Sequence, residues 1–521
     1  MSESGPPDAM MPPRDLDQEL LNGLSFYVVG DERDCTITAV VYDSRLATPG
    51  CLFVALRGGY ADGHRFLAEA AKRGAIAALV EEVIVPAPEG VRAQVVVPDT
   101  RAALAVVAAN WYDHPANDLT VIGVTGTNGK TTTTAMITDV LDAAGLSSAF
   151  LGTVELKLGL NRWPNPNHQT TPESLYVQRF LWQAVAAGCS HAVLEATSHG
   201  LAMHRLDALP VDVAVFTNIS HEHLEYHKTF DAYLAAKRAL FARLTLAPER
   251  GTARWAVVNA HDPHADAFLA IAPAATPLRY GIDTETPIAA MNVMELPQHT
   301  AFTLRTPAGT ATVTLPTLGD YNVLNALAAA AVGHAQGIDA GTIAAGLGAC
   351  RDVAGHLERI EMGQPFAVIV DFAHTPAAFE ALFGLLRRTT QSRLAVVFGS
   401  AGERDVAKRA MQGAIAARYA DLAIFTNEDP RFEDAEAILR EIAAGATHER
   451  PDWREGTQYR CIVDRTMAIA EAIAWAAPGD TVALIGKGHE NSIIVGAEAH
   501  PWDEATVARA ALRSHGYMGE T

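Results

Sequence analysis

Short apolar runs alternate with longer amphipathic stretches along most of this chain, and polar residues close the runs on their C-terminal side. Apolar runs of this length read as strands, and stretches with a 3.6-residue period read as helices. In the first part, strands are predicted over residues 36–42, 52–55, 76–80 and 94–97, with helices over 65–73 and 101–111. Residues 112–118 are polar and contain proline, which predicts a linker and a first domain boundary. Strands are predicted next over 120–123, 192–195, 213–216 and 255–259, with helices from Lys130 onward and over 233–244. A last group starts at about 351, with strands 367–371, 394–399, 422–426 and 481–486 and helices 376–387 and 435–444. Strand–helix alternation of this kind predicts mostly parallel sheets covered on both faces, an α/β fold. Three domains are expected: a small α/β N-terminal domain over residues 1–115, a central domain over 116–350, and a doubly wound, Rossmann-like C-terminal domain over 351–521.

The stretch Thr125-Gly-Thr-Asn-Gly-Lys-Thr131 joins strand 120–123 to a helix with Ala135, Met136, Ile137, Val140, Leu141 and Ala144 on one face. Strand, glycine loop, Lys-Thr and helix is the layout of a phosphate cradle. Backbone N–H groups over Gly126, Thr127, Asn128 and Gly129 would meet phosphates, Lys130 would neutralise charge, and the Thr131 hydroxyl would sit on Mg²⁺. The strict G-x-x-x-x-G-K-[ST] pattern is not met, because residue 124 is valine and Gly123 comes one residue early. The alternative is a strand–turn–helix that merely contains Gly-Lys-Thr. The context on both sides favours ATP, and the central domain is expected to be a P-loop ATPase.

The chain has 521 residues and a formal charge of −20, which argues against nucleic acid or an anionic membrane surface as partner. Its five cysteines are scattered without a C-x-x-C, so a reducing, cytoplasmic setting is expected, with neither a disulfide framework nor a zinc site. Residues 1–14 are proline-rich and polar; they read as a disordered tail and not as a signal peptide.

Polar residues gather where strands end. Glu195 closes strand 192–195, and His223 lies in a histidine-rich segment beyond strand 213–216. A carboxylate and an imidazole near a phosphate loop can complete the shell of a divalent metal. His223 is either such a ligand or a solvated loop histidine. Lys237 alone reads as a helix-surface lysine, and Asp43-Ser44-Arg45 alone as a solvated turn. Four clusters follow the strands of the last domain: residues 371–374, 402–405, 427–431 and 486–490. All lie on one edge of the predicted sheet, which suggests a binding surface of both charges.

From about residue 36 to 515 the chain resembles the Mur ligase family, in particular the members that add the third amino acid to UDP-N-acetylmuramoyl-L-alanyl-D-glutamate. The resemblance rests on the phosphate loop 125–132, whose missing glycine is the family's own variant. It rests also on Asp43-Ser-Arg45 with Pro49-Gly50, Asp62-Gly-His64, Thr170-Thr-Pro172, Phe216-Thr-Asn218 and His223-Leu-Glu-Tyr-His227. Further carriers are Ala236-Lys237, Asn322 and Asn325, Asp371-Phe-Ala-His-Thr-Pro376 and Gly486-Lys-Gly-His-Glu490.

The resemblance implies an ATP- and Mg²⁺-dependent amide ligase acting through an acyl phosphate, a monomer whose last domain closes at a hinge near 350–356. It implies ATP contacts at Gly126 to Thr132, Asn325 and Asp371. Thr131, Glu195, His223 and a carbamylated Lys237 would hold metal, with Lys130, Glu195, His223 and Lys237 catalytic. Ser44, Thr170, Thr171, Thr197 and Arg205 would hold the UDP-linked dipeptide. Arg404, Asp429, Pro430, Arg431, Gly486 and Glu490 would hold the incoming diamino acid.

Five positions depart from the family pattern. Glu195-Ala-Thr-Ser-His199 replaces Glu-Val-Ser-Ser-His and keeps a hydroxyl at Thr197. Met203 stands where a glutamine is usual. His356 stands where an arginine faces the nucleotide phosphates. Asp429 stands where asparagine is usual in members that use meso-diaminopimelate. Arg431 suits the distal carboxylate of meso-diaminopimelate. Asp429 leaves L-lysine or L-ornithine open. A folylpolyglutamate-type ligase and a non-catalytic nucleotide-binding homologue are the rival readings.

Overall fold

The computed structural model describes residues 11–16, 19–31, 35–58, 61–166, 169–220, 222–246, 253–283, 285–296, 299–350 and 354–518. Residues 1–10 of the expected tail, His221 and residues 351–353 of the expected hinge lie outside these residues, while Met11 is buried and Arg14–Asp15 pairs with Thr36–Ile37, so the end of the expected tail is packed.

Three sheets organise the chain, of five, eleven and six strands. The first is built from Tyr27–Gly30, Val40–Val41, Leu52–Val54, Ala77–Val80 and Ala93–Val96. Its strand at Tyr27–Gly30 was not expected; it pairs antiparallel with Ala93–Val96 at the sheet edge. The expected linker is packed: Tyr112, Pro115 and Ala116 are buried and a 3-10 turn spans Pro115–Asp118.

The central sheet has the strand Thr120–Thr125 between His191–Glu195 and Val213–Phe216, with both pairings parallel. The chain first crosses to one side of this strand and later to the other, so the loop after Thr125 stands at a topological switch point. Side chains alternate between the faces as strand geometry requires. Val213 and Val215 join one core and Ala214 and Phe216 the other. A fully buried side chain such as Phe216 contributes about 1.5–3 kcal/mol.

Antiparallel wings extend the parallel centre at both edges. One is the hairpin Glu155–Leu158 with Asn161–Pro164, and the other runs through Ile288–Glu295, Thr300–Thr306 and Gly309–Leu315. The last sheet is parallel through Ala367–Asp371, Thr481–Ile485, Leu394–Phe398 and Leu422–Phe425, and apolar clusters cover both its faces. The four polar clusters expected on one edge follow the carboxyl ends of these strands.

Candidate functional site

The phosphate loop leaves Thr120–Thr125 and enters the helix Lys130–Ala143. The first N–H groups of that helix have no intrahelical acceptor and suit an anion. Gly129 enters the helix at φ 81°, and a Cβ there would lie 2.3 Å from Asn325 Oδ1. Glycine therefore lets Asn325 close on the loop, where its Oδ1 accepts from Thr133 Oγ1 at 3.2 Å. Lys130 Nζ donates to the carbonyls of Gly126 (3.0 Å) and Thr127 (2.8 Å).

Glu195 ends its strand buried beside the loop. Its Oε2 accepts from Thr131 Oγ1 (2.9 Å) and Thr153 Oγ1 (3.0 Å), and its Oε1 from Thr153 N (2.7 Å). Burial pushes its pKa up against these bonds and the Lys130 charge. The result is a set of hard oxygen donors beside the phosphate cradle, the chemistry Mg²⁺ takes.

Lys237 is not a surface lysine. Only 1% exposed, it sits on the helix Phe230–Ala242 beneath the loop, with Nζ donating to Gly126 O at 2.6 Å and 4.6 Å from the centre of the Tyr233 ring. Burial and then the Lys130 charge hold its pKa well below the lysine range. Periodicity placed it on a helix and left open which side of that helix meets the loop.

His223 has a left-handed backbone (φ 55°) and precedes the short helix Leu224–His227. Its ring meets His199 edge-on at 4.7 Å. Its Nε2 is 3.6 Å from Oε2 of Glu222, a residue to which the sequence assigned no role. Glu222 Oε1 accepts from His374 Nε2 at 3.0 Å, and His374 Nδ1 faces Phe372 O at 3.0 Å. Both ring nitrogens thus point at oxygens that can only accept, so the ring carries both protons. Burial opposes charge on either partner, but the hydrogen bond between them wins. It holds Glu222 well below the carboxylate range and lifts His374 above its ordinary value.

A cleft of about 1500 Å³ joins the central and last sheets. Thr127 to Thr132, Thr170, Glu195, Thr197, His223, Asn325, Asp371, Arg404, Asp429, Arg431 and Glu490 line it. Gly126, Lys237, Thr171, Arg205, Pro430 and Gly486 stand behind that lining, and Ser44 lies in the first sheet's unit, buried in the turn Ser44–Leu46.

Thr171 connects the two groups. Its Oγ1 donates to Glu195 O (2.8 Å) and accepts from Thr197 N (3.0 Å), and its carbonyl accepts from Arg205 Nη1 (2.7 Å). Thr153 Oγ1 reaches Thr170 Oγ1 at 3.0 Å. Glu173 binds Arg205 (2.9 Å) and Arg101 (3.2 Å), tying the central sheet's unit to the first. Met203 puts its sulfur 3.5 Å from Arg205 Nη2.

On the last unit, Asp429 Oδ1 accepts from Lys487 Nζ (3.0 Å) and Ile494 N (2.9 Å), and Lys487 also binds Glu490 (2.5 Å). Lys487 is thus shared, one cation between two carboxylates. The Arg431 guanidinium has no carboxylate partner among the described residues, and its buried Nε has no hydrogen-bond partner there.

Asp371 braces the chain, accepting from Ala373 N and Leu357 N at 2.7 Å each; burial pushes its pKa up to about 6. His356 stacks on His489 at 5.4 Å. Burial first and neighbouring positive groups next push these rings down, to about 3 for His356 and about 4 for His489. Gly355 (φ 69°) lies backbone against backbone on Gly488 (φ 47°), and a Cβ on Gly355 would fall 2.1 Å from His489 N.

Sequence models of the Mur ligase family match three parts of the chain. The family's catalytic domain matches residues 36–112, its middle domain 124–333, and its glutamate ligase domain 355–488. The UDP-N-acetylmuramyl-tripeptide synthetase of Roseiflexus sp. (strain RS-1) is 48% identical over 494 residues, covering 93% of this chain and 96% of the relative. The UDP-N-acetylmuramoyl-L-alanyl-D-glutamate–2,6-diaminopimelate ligase of Bacillus licheniformis is 39% identical over 481 residues, covering 92% and 96%. A solved structure of a ligase with that same name superposes with a TM-score of 0.65 at 28% identity, covering 96% of this chain and 98% of the other. With a phosphate loop, an acidic oxygen-donor site and a guanidinium surface meeting in one cleft, and with these relatives matched end to end, this chain belongs to the Mur ligase family.

Proposed function

We propose that this protein is an ATP-dependent ligase that adds a diamino acid, meso-diaminopimelate first, to UDP-N-acetylmuramoyl-L-alanyl-D-glutamate. The work belongs to peptidoglycan precursor synthesis in the cytoplasm. The observation that carries the reading is the single cleft, with its phosphate cradle on one wall and Arg404 and Arg431 on the other. A carboxylate is a poor acylating group. Phosphorylation by ATP converts it to an acyl phosphate, the amine of the incoming amino acid attacks the carbonyl, and phosphate leaves. The dipeptide carboxylate and ATP are both anionic, so the protein's task is positioning and charge neutralisation.

Each residue then has a part. Lys130 and the loop N–H groups neutralise the phosphates, and Asn325 and Asp371 flank the nucleotide. Thr131, Glu195 and His223 would hold Mg²⁺, which supplies charge neutralisation between phosphate oxygens. The oxygen donors around Glu195 support that fit. Burial lowers the Lys237 pKa and so favours the neutral amine that adds CO₂; the carbamate would be a further anionic ligand. Thr170, Thr171, Thr197 and Arg205, with Ser44, would hold the UDP-linked dipeptide.

Arg431 favours meso-diaminopimelate. Its unpaired fork suits a distal carboxylate. The test is purified protein with ATP, Mg²⁺ and the nucleotide dipeptide, offered meso-diaminopimelate, L-lysine and L-ornithine separately. Phosphate release and product mass are expected with meso-diaminopimelate. Turnover with L-lysine or L-ornithine alone overturns the choice of amino acid, and no turnover with any of them overturns the ligase reading.

A further inference from the structure

Arg409 is 1% exposed and lies in the first turn of the helix Ala407–Tyr419, outside the lining of the cleft. Its guanidinium forks onto Glu433, with Nη1 to Oε2 at 2.9 Å and Nη2 to Oε1 at 3.0 Å. Nη1 also binds Glu441 Oε2 at 2.9 Å, and Nη2 donates to Ala401 O at 3.4 Å.

Those partners belong to two loops and a helix. Ala401 starts the loop that carries Arg404. Glu433 ends the segment that carries Arg431, and its Oε1 also accepts from Glu403 N. Glu441 lies on the helix Ala435–Glu449, which packs on the Arg409 helix so closely that a Cβ on Gly413 would fall 1.9 Å from Ile442 O. Arg409 thus fastens both loops to a rigid helix pair.

The loops need fastening. Glu403 and Arg431, each at a positive φ (55° and 52°), are non-glycine residues in the left-handed region. Such a residue costs of order 1 kcal/mol and persists only where surrounding contacts hold it. Glu403 directly precedes Arg404, and Arg431 is itself the second arginine. The backbone bond from Gly402 N to Asp429 O (2.8 Å) joins the loops directly.

We propose that Arg409 is a positioning residue of the amino-acid subsite: through Glu433 it fixes the spacing of Arg404 and Arg431, and so sets affinity for the incoming amino acid. The inference rests on the function proposed above. Phosphorylation of the dipeptide carboxylate takes place at the other wall of the cleft and does not need the spacing.

The experiment compares the full chain with Glu433→Gln, Arg409→Lys and Arg409→Met. Glu433 is partly exposed, so Glu433→Gln keeps the fold if Arg409→Met does not. Three readouts are taken on each: KM for the amino acid, KM for ATP, and acyl phosphate formed without amino acid, trapped by borohydride. In Arg409→Met the amino-acid KM is expected to rise roughly 10-fold or more, the scale of a lost charged hydrogen bond. Arg409→Lys and Glu433→Gln should rise less, because each keeps part of the fork. The ATP KM and the trapped acyl phosphate should stay within about twofold, the scatter expected of a site left untouched. An unchanged amino-acid KM in the folded variants, or a parallel rise in both KM values, overturns the role. If the unsubstituted protein turns over no amino acid at all, it is the ligase reading that fails, and this inference falls with it.

Discussion

Lys130 and Lys237 donate to one and the same atom, the carbonyl oxygen of Gly126, at 3.0 and 2.6 Å. Burial, and then the nearby Lys130 charge, push the Lys237 pKa well below the lysine range, which favours the neutral amine that CO₂ requires. Carbon-13 NMR of protein in ¹³C-bicarbonate is expected to show one carbamate carbon, which Lys237→Ala removes. That substitution should lower kcat on the order of 100-fold or more. A protein that keeps full activity after Lys237→Ala has no need of the carbamate.

Glu195 and Thr131 form the second test. Glu195→Gln keeps the volume but turns a carboxylate into an amide that serves Mg²⁺ poorly. kcat is expected to fall roughly 10²–10³-fold, with the Mg²⁺ half-saturation point shifted upward. Thr131→Val should shift the Mg²⁺ requirement in the same direction with a smaller loss of rate. Magnesium titrations at saturating ATP read both effects. A loss of rate at an unmoved Mg²⁺ requirement would detach Glu195 from the metal.

The Glu222–His374 bond joins the central unit to the last, and its strength depends on pH. Glu222 has a depressed pKa, so its stabilisation is present above its unfolded value of about 4.5 and is lost as pH falls through the folded value. His374 has a raised pKa, so its contribution is complete below the unfolded value of about 6.5 and is lost as pH rises through the folded value. The pair is therefore strongest between about pH 4.5 and 6.5 and weakens in alkaline solution. Small-angle scattering from pH 6 to 9 is expected to show the chain expanding with pH, and His374→Gln should show no such trend. An equal trend in both proteins places the pH response elsewhere.

Arg431→Lys keeps a cation and loses the fork. With meso-diaminopimelate the KM is expected to rise roughly 10- to 100-fold, the equivalent of about 1.5–3 kcal/mol for a charged bidentate contact. Any trace turnover with L-lysine should be unchanged, because no distal carboxylate is involved. Equal losses with both amino acids would assign Arg431 to the end common to them.

Much of this was legible in the residues. The parallel strands of the central and last sheets are β-branched apolar runs, and the polar clusters at their carboxyl ends line the cleft. Other parts were less legible. Thr300–Thr306 and Gly309–Leu315 pair as an antiparallel wing; their alternation is itself a half-buried strand signal, but it does not say which strands they join. Lys237 was placed on its helix, but its burial depends on how that helix meets the phosphate loop. Glu222 and His374 stand 152 positions apart, so no local pattern joins them. Asp429 reads as a free anion in the sequence, and its bond to Lys487, 58 positions on, is a contact that no local pattern gives.

Gly355 and Gly488 touch through backbone alone. Around it the His356 ring stacks on His489 and Leu357 N donates to Asp371, so the joint fastens the chain arriving from the central unit onto the last one. An alanine at Gly355 would drive its Cβ into His489 N and prise that chain off the loop that carries Glu490. Neither glycine needs to touch a substrate for both to shape the wall of the cleft that His489 and Glu490 line.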